Sequence, residues 1–196
     1  EEYNGTGYSA GGDIGSARYT MAAGGTQTAA IVSMGWVGSA TTATEYYNGS
    51  SWTSSTASND NRTNLGSGGT QTSFLAFGGS ESPGTSAATE EWDDSSWTTG
   101  GNLGTARYQL SGNNVGTQTA GLCAGGFSGG SKNLTEEYNG STWSTGGALP
   151  AANGNAARGG TQTAAYFTGG SYAPKSASYH YDGTSWSTAP SIATER

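Results

Sequence analysis

The sequence predicts an all-β protein built from repeated four-stranded antiparallel units, and three observations carry that prediction. The tetrapeptide Gly-Thr-Gln-Thr begins at Gly25, Gly69, Gly116 and Gly160, with starts 44, 47 and 44 residues apart; such a period is the mark of a repeat architecture. Each period holds four short runs of β-branched or aromatic residues bounded by Gly, Asn or Ser clusters, which read as strands of about 4–8 residues. No window sustains a 3.6-residue apolar spacing, and glycine recurs too often for helix interiors.

In the first period, strand A is expected over Arg18–Ala23 and strand B over Ala29–Met34. Strand C is expected over Thr41–Tyr47, with strand D starting near Trp52. The A–B connection is the Gly-Thr-Gln-Thr turn. Its glycine supplies backbone freedom, and its Thr and Gln side chains are expected to satisfy turn amides. The C–D connection is the sharpest local signal. Tyr47-Asn48-Gly49-Ser50-Ser51-Trp52 returns from Trp92 to Trp97, Tyr138 to Trp143 and Tyr181 to Trp186. Asn-Gly and Asp-Gly tolerate the positive φ of tight hairpins, and the fixed spacing puts one aromatic on each side of the turn. The B–C and D–A connections vary from period to period. Most of the excess in the longer period falls around Asn113-Asn114. The repeats span about 13–56, 57–101, 102–147 and 148–190. Glu1–Tyr8 reads as an extra C–D pair ahead of them, and Ser191–Arg196 matches the lead into strand A at Asn102–Arg107. The first residue is Glu1, inside a repeat, which predicts a processed product or a segment of a longer polypeptide. It also predicts that the outer half-unit at Glu1–Tyr8 is completed by further residues or by another chain.

Composition narrows the function classes. Gly, Ser, Thr and Ala dominate, yet six Trp and eleven Tyr separate the chain from disordered linkers, which are poor in aromatics. With 7 basic against 14 acidic side chains, there is no basic footprint for nucleic acid or for anionic lipid. No apolar run approaches the length of a membrane helix, and no signal peptide is visible. Cys123 is the only cysteine, in an apolar run, and reads as a buried, inert thiol. His180 is the only histidine, so a multi-histidine metal site is unavailable and a Ser-His-Asp triad would have to use it. No nucleophile motif accompanies it. The expectation is a non-enzymatic protein with no cofactor, no metal and no catalytic residues.

Strand B ends in Gly78-Gly79, Gly125-Gly126 and Gly169-Gly170, with Met34-Gly35 as the first repeat's departure. An aromatic and a Trp follow at fixed spacing. This pattern resembles the kelch repeat over nearly the whole chain. The resemblance implies a β-propeller of four-stranded blades, with strand A lining a central channel. It also implies that the A–B and C–D turns share one face and the variable B–C and D–A loops the other. The wording of the repeats is similar to kelch-like repeat proteins of marine bacteriophages and bacteria, which implies a virion or extracellular surface setting and an adhesion role.

Recognition collects where repeats vary, so the B–C/D–A face is the candidate binding face. Trp36, Phe127 and Tyr172 stand near the start of its B–C loops. Exposed rings there stack on sugars; otherwise they pack beneath their loops. Trp52, Trp97, Trp143 and Trp186 recur at one position and read as packing residues. Arg18, Arg62 and Arg107 open the expected strand A and Glu45, Glu90 and Glu136 lie in strand C, whereas the fourth repeat has Asn153 and Tyr179. Loss of both together predicts an ion pair, with a ring of ligand-binding arginines as the other reading. The function expected is a binding or structural module that recognises a glycan or a protein partner and assembles with further repeats or subunits. A purely architectural array, or the propeller part of a larger enzyme, is the alternative.

Overall fold

The computed structural model describes residues 1–110, 115–172 and 174–194; Asn113, Asn114 and Arg196 lie outside them. An N-terminal hairpin of β1 (Glu2–Tyr3) and β2 (Tyr8–Ser9) comes first. Sheet I follows, with β3 (Ala22–Thr26), β4 (Ala29–Ser33), β5 (Thr44–Tyr47) and β6 (Trp52–Ser55). Sheet II holds β7 (Gly66–Gly69), β8 (Phe74–Phe77), β11 (Thr89–Trp92) and β12 (Trp97–Thr99), and its B–C loop forms a hairpin of β9 (Ser80–Glu81) and β10 (Gly84–Thr85). Sheet III holds β13 (Gly116–Thr117), β14 (Ala120–Ala124), β15 (Thr135–Tyr138) and β16 (Trp143–Thr145). Sheet IV holds β17 (Ala157–Thr161), β18 (Ala164–Thr168), β19 (Ser178–Tyr181) and β20 (Trp186–Ala189). Each sheet runs in the order A-B-C-D, antiparallel throughout, and the described residues contain no helix.

Strand A starts later than the sequence suggests. Arg18 lies ahead of it, and the strand runs from Ala22 into Gly25-Thr26, with Thr26 paired to Ala29. The reason is a kink: Thr20, Asn64, Gln109 and Asn155 all have positive φ, from 52° to 62°, shortly before strand A. A left-handed residue interrupts the extended run that β-propensity alone would continue.

The core lies between successive sheets. In β8, Phe74 and Ala76 pack with Ile31 of sheet I and with Met34 just after β4, while Leu75 and Phe77 pack with Cys123 and Tyr138 of sheet III. Alternate side chains of one strand thus serve two neighbours, so all four are buried. The sheets approach closely at strand A. A Cβ on Gly24 would lie 2.6 Å from the Phe74 ring, so only glycine fits.

The organising tetrapeptide does more than turn the chain. The glutamine is not spent on its own turn amides. Gln71 Nε2 donates to the carbonyls of Ala30 (2.9 Å) and Tyr47 (2.7 Å) in the preceding sheet. Gln118 does the same to Phe74 and Trp92, and Gln162 to Gly121 and Tyr138. Gln27 donates to Tyr3 of the hairpin. A long amide side chain reaches carbonyls that a neighbouring strand end leaves open, and that is why Gln recurs.

Two further contacts repeat between sheets. The indoles of Trp97, Trp143 and Trp186 donate Nε1–H to Thr44, Thr89 and Thr135 of the sheet before. The hydroxyls of Tyr47, Tyr138 and Tyr181 donate to Glu2, Glu91 and Glu137. Between sheets I and II both members change, and Trp92 packs on Tyr46 with ring centres 5.6 Å apart. At each C–D turn an Asn or Asp carboxamide or carboxylate oxygen accepts two backbone N–H bonds, as Asn48 does from Ser50 and Ser51. Asn4 of the N-terminal hairpin makes the same turn.

Candidate functional site

The end of the molecule that carries the B–C and D–A loops is built on the left-handed residues before strand A. Asn64 N–H donates to the Thr20 carbonyl at 2.9 Å, Leu110 N–H to Asn64 at 3.0 Å, and Asn155 N–H to Gln109 at 3.0 Å. This ladder joins one repeat to the next. Non-glycine residues with positive φ persist only where the surroundings hold them, and here the ladder does so.

Beneath it lie the ion pairs. Arg18 Nη2 meets Glu45 at 2.6 Å and Arg62 Nη2 meets Glu90 at 2.8 Å; Arg107 pairs with Glu136. Each pair lies within one repeat, from the D–A loop to strand C. The second carboxylate oxygen accepts a backbone N–H of the same loop, from Gly15, Asn59 and Gly104. All three arginine side chains are at most 1% exposed, so they do not form a ligand-facing ring. In the fourth repeat, Asn153 Nδ2 donates to the carbonyls of Gly169 and Tyr172, and its Oδ1 accepts from Gly154 and Tyr172 N–H. Sequence reasoning passed over Arg158. It is buried, lies 4.9 Å from the Phe167 ring centre and donates to the carbonyls of Leu110 and Gln109. Burial lowers its pKa. Cys123 is fully buried and desolvation raises its thiol pKa, the setting of an unreactive cysteine.

The three candidate aromatics have separate fates. Phe127 and Tyr172 are half-buried and stacked on each other, with centres 6.1 Å and planes 20° apart. Tyr108 packs on Phe127, and the Tyr172 hydroxyl donates to Gln109. Trp36 stands apart from that stack and is 39% exposed. Its backbone bridges to Tyr19, itself 62% exposed.

Trp36 also forms one wall of a groove of about 630 Å³ between the first and second repeats. The opposite wall is the β9–β10 hairpin with Glu81 and Pro83, and Asn61 and Ser80 are among the polar residues that line it. The groove thus joins an accessible indole to a carboxylate, an amide and hydroxyls. The sequence did not reveal the hairpin wall, because Ser80–Thr85 lacks apolar alternation. Tyr19 was findable: Arg18-Tyr19 and Arg107-Tyr108 repeat as a pair.

Among the described residues, no group of three or more His, Cys, Asp or Glu gathers within metal-binding reach. Nor, among those residues, is any helix long and apolar enough to cross a membrane. No known protein-family model matches the chain, and no curated protein matches it in sequence.

Proposed function

We propose that the four sheets are blades of a kelch-like β-propeller and that the protein is a non-enzymatic recognition module of a virion or extracellular surface. Its binding face is the B–C/D–A end, and a glycan is the ligand. The blade reading is supported by first strands that neighbour one another from sheet to sheet and by cores that lie between sheets. It is supported also by the Gly-Gly pairs, which take positive φ at both residues.

The observation that carries the glycan reading is the Trp36 groove. Sugar rings present a C–H face to an indole and hydroxyls at the rim, and this groove supplies an open indole beside Asn61, Ser80 and Glu81. Pockets of this size accept small ligands through an apolar body and a few polar contacts. A glycan screen with the wild-type chain and Trp36→Ala tests it. Binding by the wild type and at least tenfold weaker binding by the variant is the expected result. Wild-type binding that Trp36→Ala leaves intact removes the groove from the proposal, and no binding to any glycan favours a protein partner. A purely architectural role is the second reading, favoured by the near-identical stitching of one sheet to the next.

A further inference from the structure

Among the described residues, the outer face of sheet IV exposes positions that are core in sheets I to III. Ile31, Leu75 and Leu122 occupy one position of strand B in sheets I to III and are 0%, 0% and 4% exposed beneath the following sheet. Tyr166 occupies that position in sheet IV and is 47% exposed. Beside it lies His180, at the position that holds Tyr46, Glu91 and Glu137 in the other sheets, and it is exposed. Ser178 takes the position of Thr44, Thr89 and Thr135, the indole acceptors.

At the other end of the molecule, the hairpin presents the reciprocal surface. Tyr3 and Tyr8 form a ring pair at 4.9 Å, like Tyr47–Trp52 at 5.0 Å and Tyr138–Trp143 at 5.0 Å. Tyr138, at the position of Tyr3, is completely buried against the sheet before it, whereas Tyr3 is 50% and Tyr8 72% exposed. Among the described residues, the core clusters of sheet IV include neither of them.

The seats differ in a way that matches these two surfaces. Gly11, Gly100 and Gly146 each leave room for a tyrosine hydroxyl; an added Cβ would lie 2.5 to 2.7 Å from it. Sheet I has Ser55 there and receives Trp92, which has no hydroxyl; sheet IV has Ala189. The Tyr3 hydroxyl is turned back onto the Gly5 carbonyl at 2.8 Å, so the ring is offered without a projecting hydroxyl.

We propose that these surfaces join head to tail between two copies of the chain. Tyr3 covers Tyr166 and His180, and the Tyr8 hydroxyl reaches Ser178 as Trp97 Nε1 reaches Thr44. The contact continues the sheet-to-sheet packing already present three times inside the molecule. It is heterologous, so it propagates instead of closing as a twofold dimer.

The test uses two variants of the 196-residue chain. The double variant Tyr3→Ala with Tyr8→Ala removes the head, and Ala189→Arg blocks the tail. Sedimentation across a concentration series should show wild-type mass rising past the dimer. Each variant alone should associate at least about tenfold more weakly, the usual effect of truncating a central aromatic. Mixed together, the two variants should form a one-to-one dimer, because each retains the surface that the other lacks. A wild-type chain that stays monomeric at every concentration overturns the proposal. So does association that both variants leave unchanged, or a mixture that stays monomeric while the wild type associates. Thermal unfolding of each variant checks that it is folded. Should the head variant fail to fold, reduced association of Ala189→Arg alone still supports the proposal, and its absence still overturns it. Trp36 is untouched, so glycan binding and association are separate readouts.

Discussion

Sheets I, II and III each bury an arginine–glutamate pair, whereas sheet IV builds the same four strands with Asn153 and Tyr179. In the first three, the carboxylate ties the arginine and a loop amide together, so the D–A loop is held by charge. In the fourth, Asn153 makes four neutral hydrogen bonds to the loops around it, and Tyr179 packs 6.4 Å from the Phe167 ring centre. The ion pair is therefore one of two ways to fasten the loop, and it is not what makes the sheet. A buried pair is weak evidence of stability, because desolvation offsets much of the attraction, but breaking one is costly.

The largest expected effect follows from that asymmetry. Glu90→Ala leaves Arg62, which is 0% exposed, as an unpaired buried cation and should cost about 3–5 kcal/mol in chemical denaturation. Grafting the solution of sheet IV onto sheet II, as Arg62→Asn with Glu90→Tyr, should cost much less than Glu90→Ala alone. If the graft costs as much, the two fastenings are not equivalent. Trp97→Ala should cost a similar 3–5 kcal/mol, because a large buried side chain is lost along with its bond to Thr44. Trp36→Ala, on the open groove, should stay within about 0.5 kcal/mol. Equal melting shifts for the two tryptophans would contradict the division between packing and binding positions. Asn153→Ala should fall between, at about 1–3 kcal/mol, since it removes neutral bonds from buried groups.

Much of this comparison was legible in the residues. The joint loss of Arg and Glu in the fourth repeat pointed to the pair because a buried charge cannot lose its partner alone. The C–D turns were legible because Asn-Gly fixes both φ and the side-chain cap, although Asp94 takes positive φ where the other turns use Gly. Strand A was placed early because nothing in Arg-Tyr-Thr marks Thr20 as left-handed; that conformation is imposed by the ladder from the neighbouring repeat. The role of Gln27, Gln71, Gln118 and Gln162 was hidden for the same reason, since a bond to another sheet leaves no local pattern. At the candidate site, Trp36 was visible as an aromatic at a loop start, but its exposure and the facing β9–β10 wall depend on tertiary placement. The same spacing put Phe127 and Tyr172 on loops that bring them together, where each covers the other.

The smallest expected effect separates the sheet interfaces from one another. Between sheets II and III and between III and IV, Tyr138 and Tyr181 donate to Glu91 and Glu137; between I and II no tyrosine hydroxyl does so. Burial, and then the bond to the carboxylate, pushes Tyr138 and Tyr181 up to about 12 from an ordinary 10.0. A folded pKa above the unfolded one means that the folded state holds its proton longer. The contribution is fully present below about pH 10 and is lost as pH rises from there through about 12. Stability should therefore fall across that window. Tyr138→Phe with Tyr181→Phe should lower stability at pH 7 by about 1 kcal/mol per hydroxyl and flatten the alkaline fall. Subtracting the variant's unfolding free energy from the wild type's at each pH removes the titration of every other group, Arg158 included. A difference that stays constant from pH 8 to pH 11.5 would mean that these hydroxyls do not hold the sheets together through their carboxylates, and the repeated Tyr–Glu contact would then be packing alone.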